Sequence, residues 1–501
     1  MILSESLLTF FWKTLLFFLP ISSFTLLSKL FGGTSVAPFA VIPTVTILIF
    51  WWLPAFIKKG FKLPYQLKPL LIFFFFGIIS TLLSVFHTVP TFRDISWAHN
   101  IAEVLVTFSM GVAFYLVTIF VVNSPERLRS ALRWITIGGI ILMVYSWMQY
   151  SSWIALGRFP EWMRRLQSFI SSNGKLFDRR ASGLTYEPSW LAHELNLIYI
   201  PIWLGLSVSG QSIFKKKLFN KIQYEKLLFL LAAATLFISF SRIGWITMII
   251  LAAYVLFRLT NNWIKNLSAN QKDKNAQLNS ARQLLFRLGV WLGLLACLIV
   301  VSFLAGVVLT RIDPRMTELF DIRRLMVYGF MSWAAKLGFA ERIIYWMAAY
   351  NVFKIFPMLG AGFGIPGYYF PVTLSNFGTR LPEINKVVLT QNFIPNAKNL
   401  WIRLLSETGI VGFALFASWV LTHWRNADDL EKQSNPGLLK AMGLVGKLIV
   451  IAMIVEGFSL DTFGLPYYWI GLGLIASSWL IQDQQSAKIG ANIEVTSDSK
   501  A

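Results

Sequence analysis

Apolar runs of about twenty residues, separated by short polar stretches, recur along nearly the whole chain. A hydrocarbon core of roughly 30 Å takes about 20 helical residues to cross. On that measure the pattern predicts spans near 7–28, 37–57, 69–88, 101–122, 134–155, 189–208, 227–241, 243–258, 288–309, 400–424, 441–460 and 464–482, about twelve in all. The run 227–257 is too long for one crossing and carries Arg242 at its middle. It reads as two short helices with a tight turn at Phe240-Ser241-Arg242, which puts the cation at the mouth of the bundle and not at its midplane. The expected fold class is all-α: a polytopic transmembrane bundle forming one domain over 1–483, followed by a polar 484–501 tail expected to be disordered.

Composition agrees with the pattern. With 56% hydrophobic and 14% charged residues and a mean hydropathy of +0.60, the chain lies outside the range of soluble domains. Lysines and arginines mark the short loops of one face: Lys58, Lys59, Lys62 and Lys68; Arg127, Arg129 and Arg133; Lys215, Lys216, Lys217, Lys221 and Lys226. The segment 258–287, with Lys272, Lys274, Arg282 and Arg287, and the loop with Arg425, Lys432 and Lys440 fall on the same side. Retention of such cations in the cytoplasm makes both termini cytoplasmic. The first apolar stretch has no small-residue cleavage site, so it is expected to be a retained helix. Topology and anionic lipid headgroups account for much of the net charge of +21. Nucleic acid is excluded as a partner, because the basic residues are scattered among membrane loops. Cys297 lies in an apolar span, and His87, His99, His193 and His423 are dispersed, so neither a disulfide nor a metal site is expected.

The opposite face carries two long loops, 156–188 and about 310–399, the second expected to be partly helical. Both are basic, with Arg158, Arg164, Arg165, Lys175, Arg179 and Arg180 in one, and Arg311, Arg315, Arg323, Arg324, Lys336, Arg342, Lys354, Arg380, Lys386 and Lys398 in the other. Cations on that face have no topological cause, and a polyanionic ligand would supply one.

Three segments there carry candidate chemistry. In "DRRASGLTYEPSWLAHELN", 178–196, Pro188 marks a helix start directly after Glu187, and Ser189, His193 and Asn196 recur at i, i+4 and i+7. That polar stripe should face the bundle interior, either as a site or as interhelical hydrogen bonds, with Glu187 complementing the helix terminus. The second segment is the Ser241-Arg242 turn, whose arginine either acts on a ligand or snorkels to headgroups. The third pairs "ERIIYWMAAYNVFKIFPMLGAGFG", 341–364, with "PNAKNLWIRLLSETGIVG", 395–412. Its glycines either let backbone approach a ligand or form a loop, and Asn399 and Arg403 lie one turn apart.

In this order the segments resemble the O-antigen ligase and Wzy-type polysaccharide polymerase superfamily, from about residue 178 to 480. The resemblance rests on "R..G...EPS" at 180–189, "SFSRIG" at the hairpin, "R...W" with "P-x-L-G-x-G-x-G" at 342–364, and "N-x9-G-x-x-G" at 399–412. It implies a GT-C-type glycosyltransferase of the bacterial inner membrane. Such an enzyme works at the periplasmic face on oligosaccharide repeats linked to undecaprenyl pyrophosphate, without metal, nucleotide sugar or other cofactor, alongside a flippase and a chain-length regulator. Family arginines important for activity match Arg242 and Arg342. Ligases of the family have a histidine before the asparagine of the closing motif. Here that residue is Lys398, which favours a polymerase over a ligase.

The residues admit the same chemistry directly. Guanidinium groups suit a departing diphosphate, so Arg180, Arg242 and Arg342 form the expected diphosphate clamp. Glu187 is the first candidate for the base that takes the acceptor's proton, followed by His193 and Lys398. Asn399, Arg403 and Tyr186 are further substrate-binding candidates, and Trp162, Trp190, Tyr368 and Tyr369 could stack on sugar rings. A lipid-linked oligosaccharide transporter is the rival from another class. The chain lacks the paired halves that such a fold would show.

Overall fold

In the computed structural model the described residues are 4–60, 63–93, 95–214, 221–270, 288–293, 321–390, 394–433 and 436–498, with scattered positions elsewhere between 285 and 320. Lys62, Lys215–Lys217, Lys272, Lys274, Arg282, Arg287, Cys297, Arg311, Arg315 and half of the expected span 288–309 lie outside them. The described residues are all-α, with isolated β-bridges only. The helices are α1 Glu5–Phe17 and α2 Thr25–Leu30; α3 Val41–Lys58, α4 Tyr65–Phe86, α5 Trp97–Val121 and α6 Pro125–Leu156; α7 Glu161–Ile170 and α8 Pro188–Val208. There follow α9 Tyr224–Ile238 and α10 Arg242–Asn270, α11 Ile322–Lys336 and α12 Ala340–Ile355, α13 Leu400–Glu431, α14 Leu438–Glu456 and α15 Pro466–Asp498. Eight of these are long and apolar enough to cross a membrane, which makes the chain a multi-pass membrane protein. α15 is helical over most of the segment beyond residue 484.

The chain divides into two compact units. The first comprises 1–245, 349–373 and 394–501; the second comprises 246–348 and 374–393. In the first unit α8 and α14 are the interior helices, 83% and 78% buried over their apolar windows, against 22% for α3. A helix that is apolar all round belongs in such a position, and α8 places His193, Glu194 and Asn196 there as well.

Prolines shape the spans. Pro201 lies two residues beyond a π-turn at Leu195–Tyr199, and Pro54 two residues beyond one at Leu48–Trp52. Proline donates no N–H to the carbonyl four residues back, and the ladder widens to relieve that gap. The expected first span, 7–28, departs from expectation for a related reason. Its helix ends at Phe17, and Pro20 closes the turn that follows. The freed groups serve a loop: Ser22 Oγ accepts from Tyr186 N at 3.1 Å, and Ser23 O accepts from Ser172 N at 2.8 Å.

Helix α13 is broken at Gly409, which has φ 64° and ψ −170°. The break is filled by the glycine-rich segment: Ala361 N and Gly362 N donate to Ser406 O and Glu407 O at 2.9 Å, and Ile410 N donates to Pro357 O at 2.9 Å. Backbone freed inside a membrane must be satisfied by protein in this way. Of the two readings open for the glycines, the loop reading holds, because their approach is to protein backbone. A Cβ on Gly409 would lie 2.3 Å from Met358 O, and its dihedrals belong to a region that only glycine visits. Gly409→Ala is therefore expected to lose at least about 3 kcal/mol. Thermal unfolding followed by size-exclusion chromatography in detergent checks this, and an unchanged midpoint would contradict it.

Candidate active site

The loop 156–188 is held down before it reaches α8. Met163 and Ile170 of α7 pack with Ile21, Phe24, Tyr145 and Phe159. Gln149 of α6 then grips the chain: its Oε1 accepts from Ser182 N at 3.0 Å and Gly183 N at 2.8 Å, and its Nε2 donates to Gly183 O at 3.0 Å. Reading of the sequence gave Gln149 no role, since it sits within an apolar span.

From this clamp Arg180 reaches the hairpin. Helix α9 ends at Ile238 and α10 begins at Arg242, so the tight turn expected from the sequence is present. Arg180 Nε donates to Ser239 O at 3.1 Å and Nη2 to Phe240 O at 3.5 Å, while Ala181 N donates to Ile238 O at 3.0 Å. Arg180 and Arg242 thus belong to one local structure. Arg342, on α12, lies in the second unit.

Glu187 is the residue before α8, with extended backbone, and its carboxylate accepts from Ser189 Oγ. Tyr186 packs on Trp190 with ring centroids 5.1 Å apart. Burial, and then the charge of Glu187, raise the Tyr186 phenol above its ordinary value, so its hydroxyl stays a donor. Trp162 is exposed, whereas Tyr368 and Tyr369 are buried, and the Tyr369 hydroxyl donates to Thr88 O at 3.3 Å.

Deeper along α8, the polar stripe converges on a residue that sequence reading passed over. His193 Nδ1 lies 2.6 Å from Glu456 Oε2, with side chains 2% and 0% exposed. Asn196 Nδ2 donates to Glu456 Oε1 at 2.6 Å and to Gly244 O at 2.9 Å. A Cβ on Gly244 would meet that of Ala192 at 2.7 Å, so glycine is what lets the hairpin's second helix close on α8. The third segment arrives at the same place, because Leu400 N donates to Gly457 O at 2.7 Å.

Around that junction Lys398 N donates to Asp461 Oδ2 at 2.8 Å. Asn399 caps α13, its Oδ1 accepting from Trp401 N at 2.9 Å and Ile402 N at 3.1 Å. Arg403 pairs with Glu407 at 3.0 Å and lies 4.8 Å from the centre of the Phe463 ring. Arg403 thus ties α13 to the segment after α14, whereas Asn399 Oδ1 serves α13 itself and its buried Nδ2 has no hydrogen-bond partner among the described residues.

Strain clusters at these positions. Among the described residues four other than glycine have positive φ: Arg93, Arg179, Phe240 and Lys398. Three of them flank Arg180, the Arg242 turn and Asn399. Left-handed backbone at a residue with a side chain costs about 1–3 kcal/mol and gathers at functional sites.

A model of the O-antigen ligase family matches residues 227–417. The chain resembles the O-antigen ligase family. That segment contains Arg242, Arg342, Lys398, Asn399 and Arg403, while Arg180, Glu187, His193 and Glu456 lie outside it. No curated protein matches the chain.

Proposed function

We propose that the protein is a membrane glycosyltransferase that lengthens a glycan held on undecaprenyl pyrophosphate, at the periplasmic face of a bacterial inner membrane with both termini cytoplasmic. The observation that carries this reading is Arg180 bonded to the backbone of the turn that leads into Arg242, within a chain similar to O-antigen ligases. Charge on a departing diphosphate is stabilised by guanidinium groups fixed before the reaction begins. Arg180 and Arg242 are the groups assigned to it, and Arg342 is a separate candidate for contacting the diphosphate.

His193 is the residue assigned to take the acceptor's proton. Glu187 and Lys398 are the other candidates, and the deeper burial of His193 beside the Glu456 carboxylate favours it over both. Glu187→Gln is then expected to keep turnover within about tenfold, and a loss of about 10²-fold or more would move the proton to Glu187. Initial rates of glycan lengthening in membranes containing equal amounts of each variant decide this.

The ligase description of the matching family supports a second reading, transfer of finished glycan to a lipid or protein acceptor. Lys398, where ligases carry histidine, supports the polymerase. Deleting the gene separates the two: a polymerase leaves single repeat units, and a ligase leaves full-length chains stranded on the carrier.

A further inference from the structure

Glu456 is a carboxylate at the buried end of an apolar helix, where a charge is tolerated only with close partners. Its partners are Asn196 and His193. Asn196 has two amide hydrogens, and Nδ2 faces two acceptors, Gly244 O at 2.9 Å and Glu456 Oε1 at 2.6 Å. Turning the amide over would set its oxygen against both, so the nitrogen faces Glu456, and Oε1 must accept. With Oε1 accepting from Asn196 and Oε2 facing His193 Nδ1 at 2.6 Å, an ionised carboxylate satisfies both contacts. The imidazole then carries its proton on Nδ1, and in the neutral ring Nε2 holds the lone pair.

We propose that Glu456 is a positioning residue that holds His193 in the tautomer whose Nε2 accepts a proton. The inference rests on the glycosyltransferase reading above. As the acceptor's hydroxyl oxygen bonds to the anomeric carbon, the bond from that carbon to the diphosphate oxygen breaks, and the electron pair leaves with the diphosphate. The hydroxyl proton passes to Nε2, giving an imidazolium paired with Glu456. Asn196 ties this pair to Gly244, two residues beyond Arg242, so proton acceptor and diphosphate partner are held on one frame.

The test uses the full chain in nanodiscs with ¹⁵N-labelled histidine, where His193→Asn identifies the His193 signals among those of the four histidines. In the neutral ring, the wild type is expected to show Nδ1 protonated and Nε2 bare. Glu456→Gln is expected to shift the ring toward the opposite tautomer. On a synthetic polyprenyl-diphosphate oligosaccharide its kcat should fall about 10²-fold or more, with KM within about threefold. A wild-type ring protonated on Nε2 overturns the inference, as does a Glu456→Gln enzyme with unchanged tautomer and kcat. If that variant does not fold, the wild-type spectrum decides alone. Absence of lengthening by the wild type would count against the glycosyltransferase reading, while the spectrum would still decide the His193–Glu456 pairing.

Discussion

Arg242→Lys lowers glycan transfer by about 10²-fold or more while leaving expression and membrane insertion unchanged, and Arg342→Lys does the same. The expectation follows from the shape of the group and not from its charge. Lysine keeps the cation but offers no planar fork, and a diphosphate is gripped through paired N–H groups that match its oxygens. At position 242 the backbone around the group is already fixed. Phe240 is held left-handed at φ 51°, Ser241 N donates to Ser239 Oγ at 3.2 Å, and Trp245 N donates to Ser241 O at 3.1 Å. Lysine at 242 leaves that frame intact, so a loss would belong to the side chain. Full activity in both variants would remove the diphosphate clamp from the account.

His193→Asn is expected to fold normally and lose about 10²-fold or more in turnover. Asparagine places an amide N–H near the position of Nδ1, where it still meets Glu456, but it has nothing at the position of Nε2. A residue serving only to pair Glu456 would tolerate this exchange. Initial rates on a lipid-linked substrate, set beside the thermal midpoint in detergent, separate the two roles. Turnover near wild type would leave His193 a structural partner.

Much of this arrangement was legible along the chain. The hairpin could be read because an apolar run of about thirty residues with a central arginine is too long for one crossing and too short for two without a tight turn. Helical period predicted that His193 and Asn196 share a face, and Glu456 meets both. Their common partner was not legible. Glu456 lies 263 residues beyond His193, and a lone carboxylate closing an apolar run looks like any interfacial residue. Gln149 was passed over for a similar reason, since its partners are backbone groups of a loop more than thirty residues away. Asn399 and Arg403 carried the right chemistry for a ligand and turn out to be engaged in capping and pairing. Capping could have been foreseen for Asn399, which precedes an apolar run. For Arg403 the i+4 spacing to Glu407 was legible, whereas Asp461 and Phe463 come near it only through the fold. The first helix ended early for a local cause, a proline at position 20 that the apolar count had ignored.

Proteoliposomes holding the purified protein and a synthetic polyprenyl-diphosphate oligosaccharide, with no nucleotide sugar added, test the central claim most directly. The account expects glycans longer than the single unit supplied. Movement of the oligosaccharide across the bilayer with its length unchanged would contradict it.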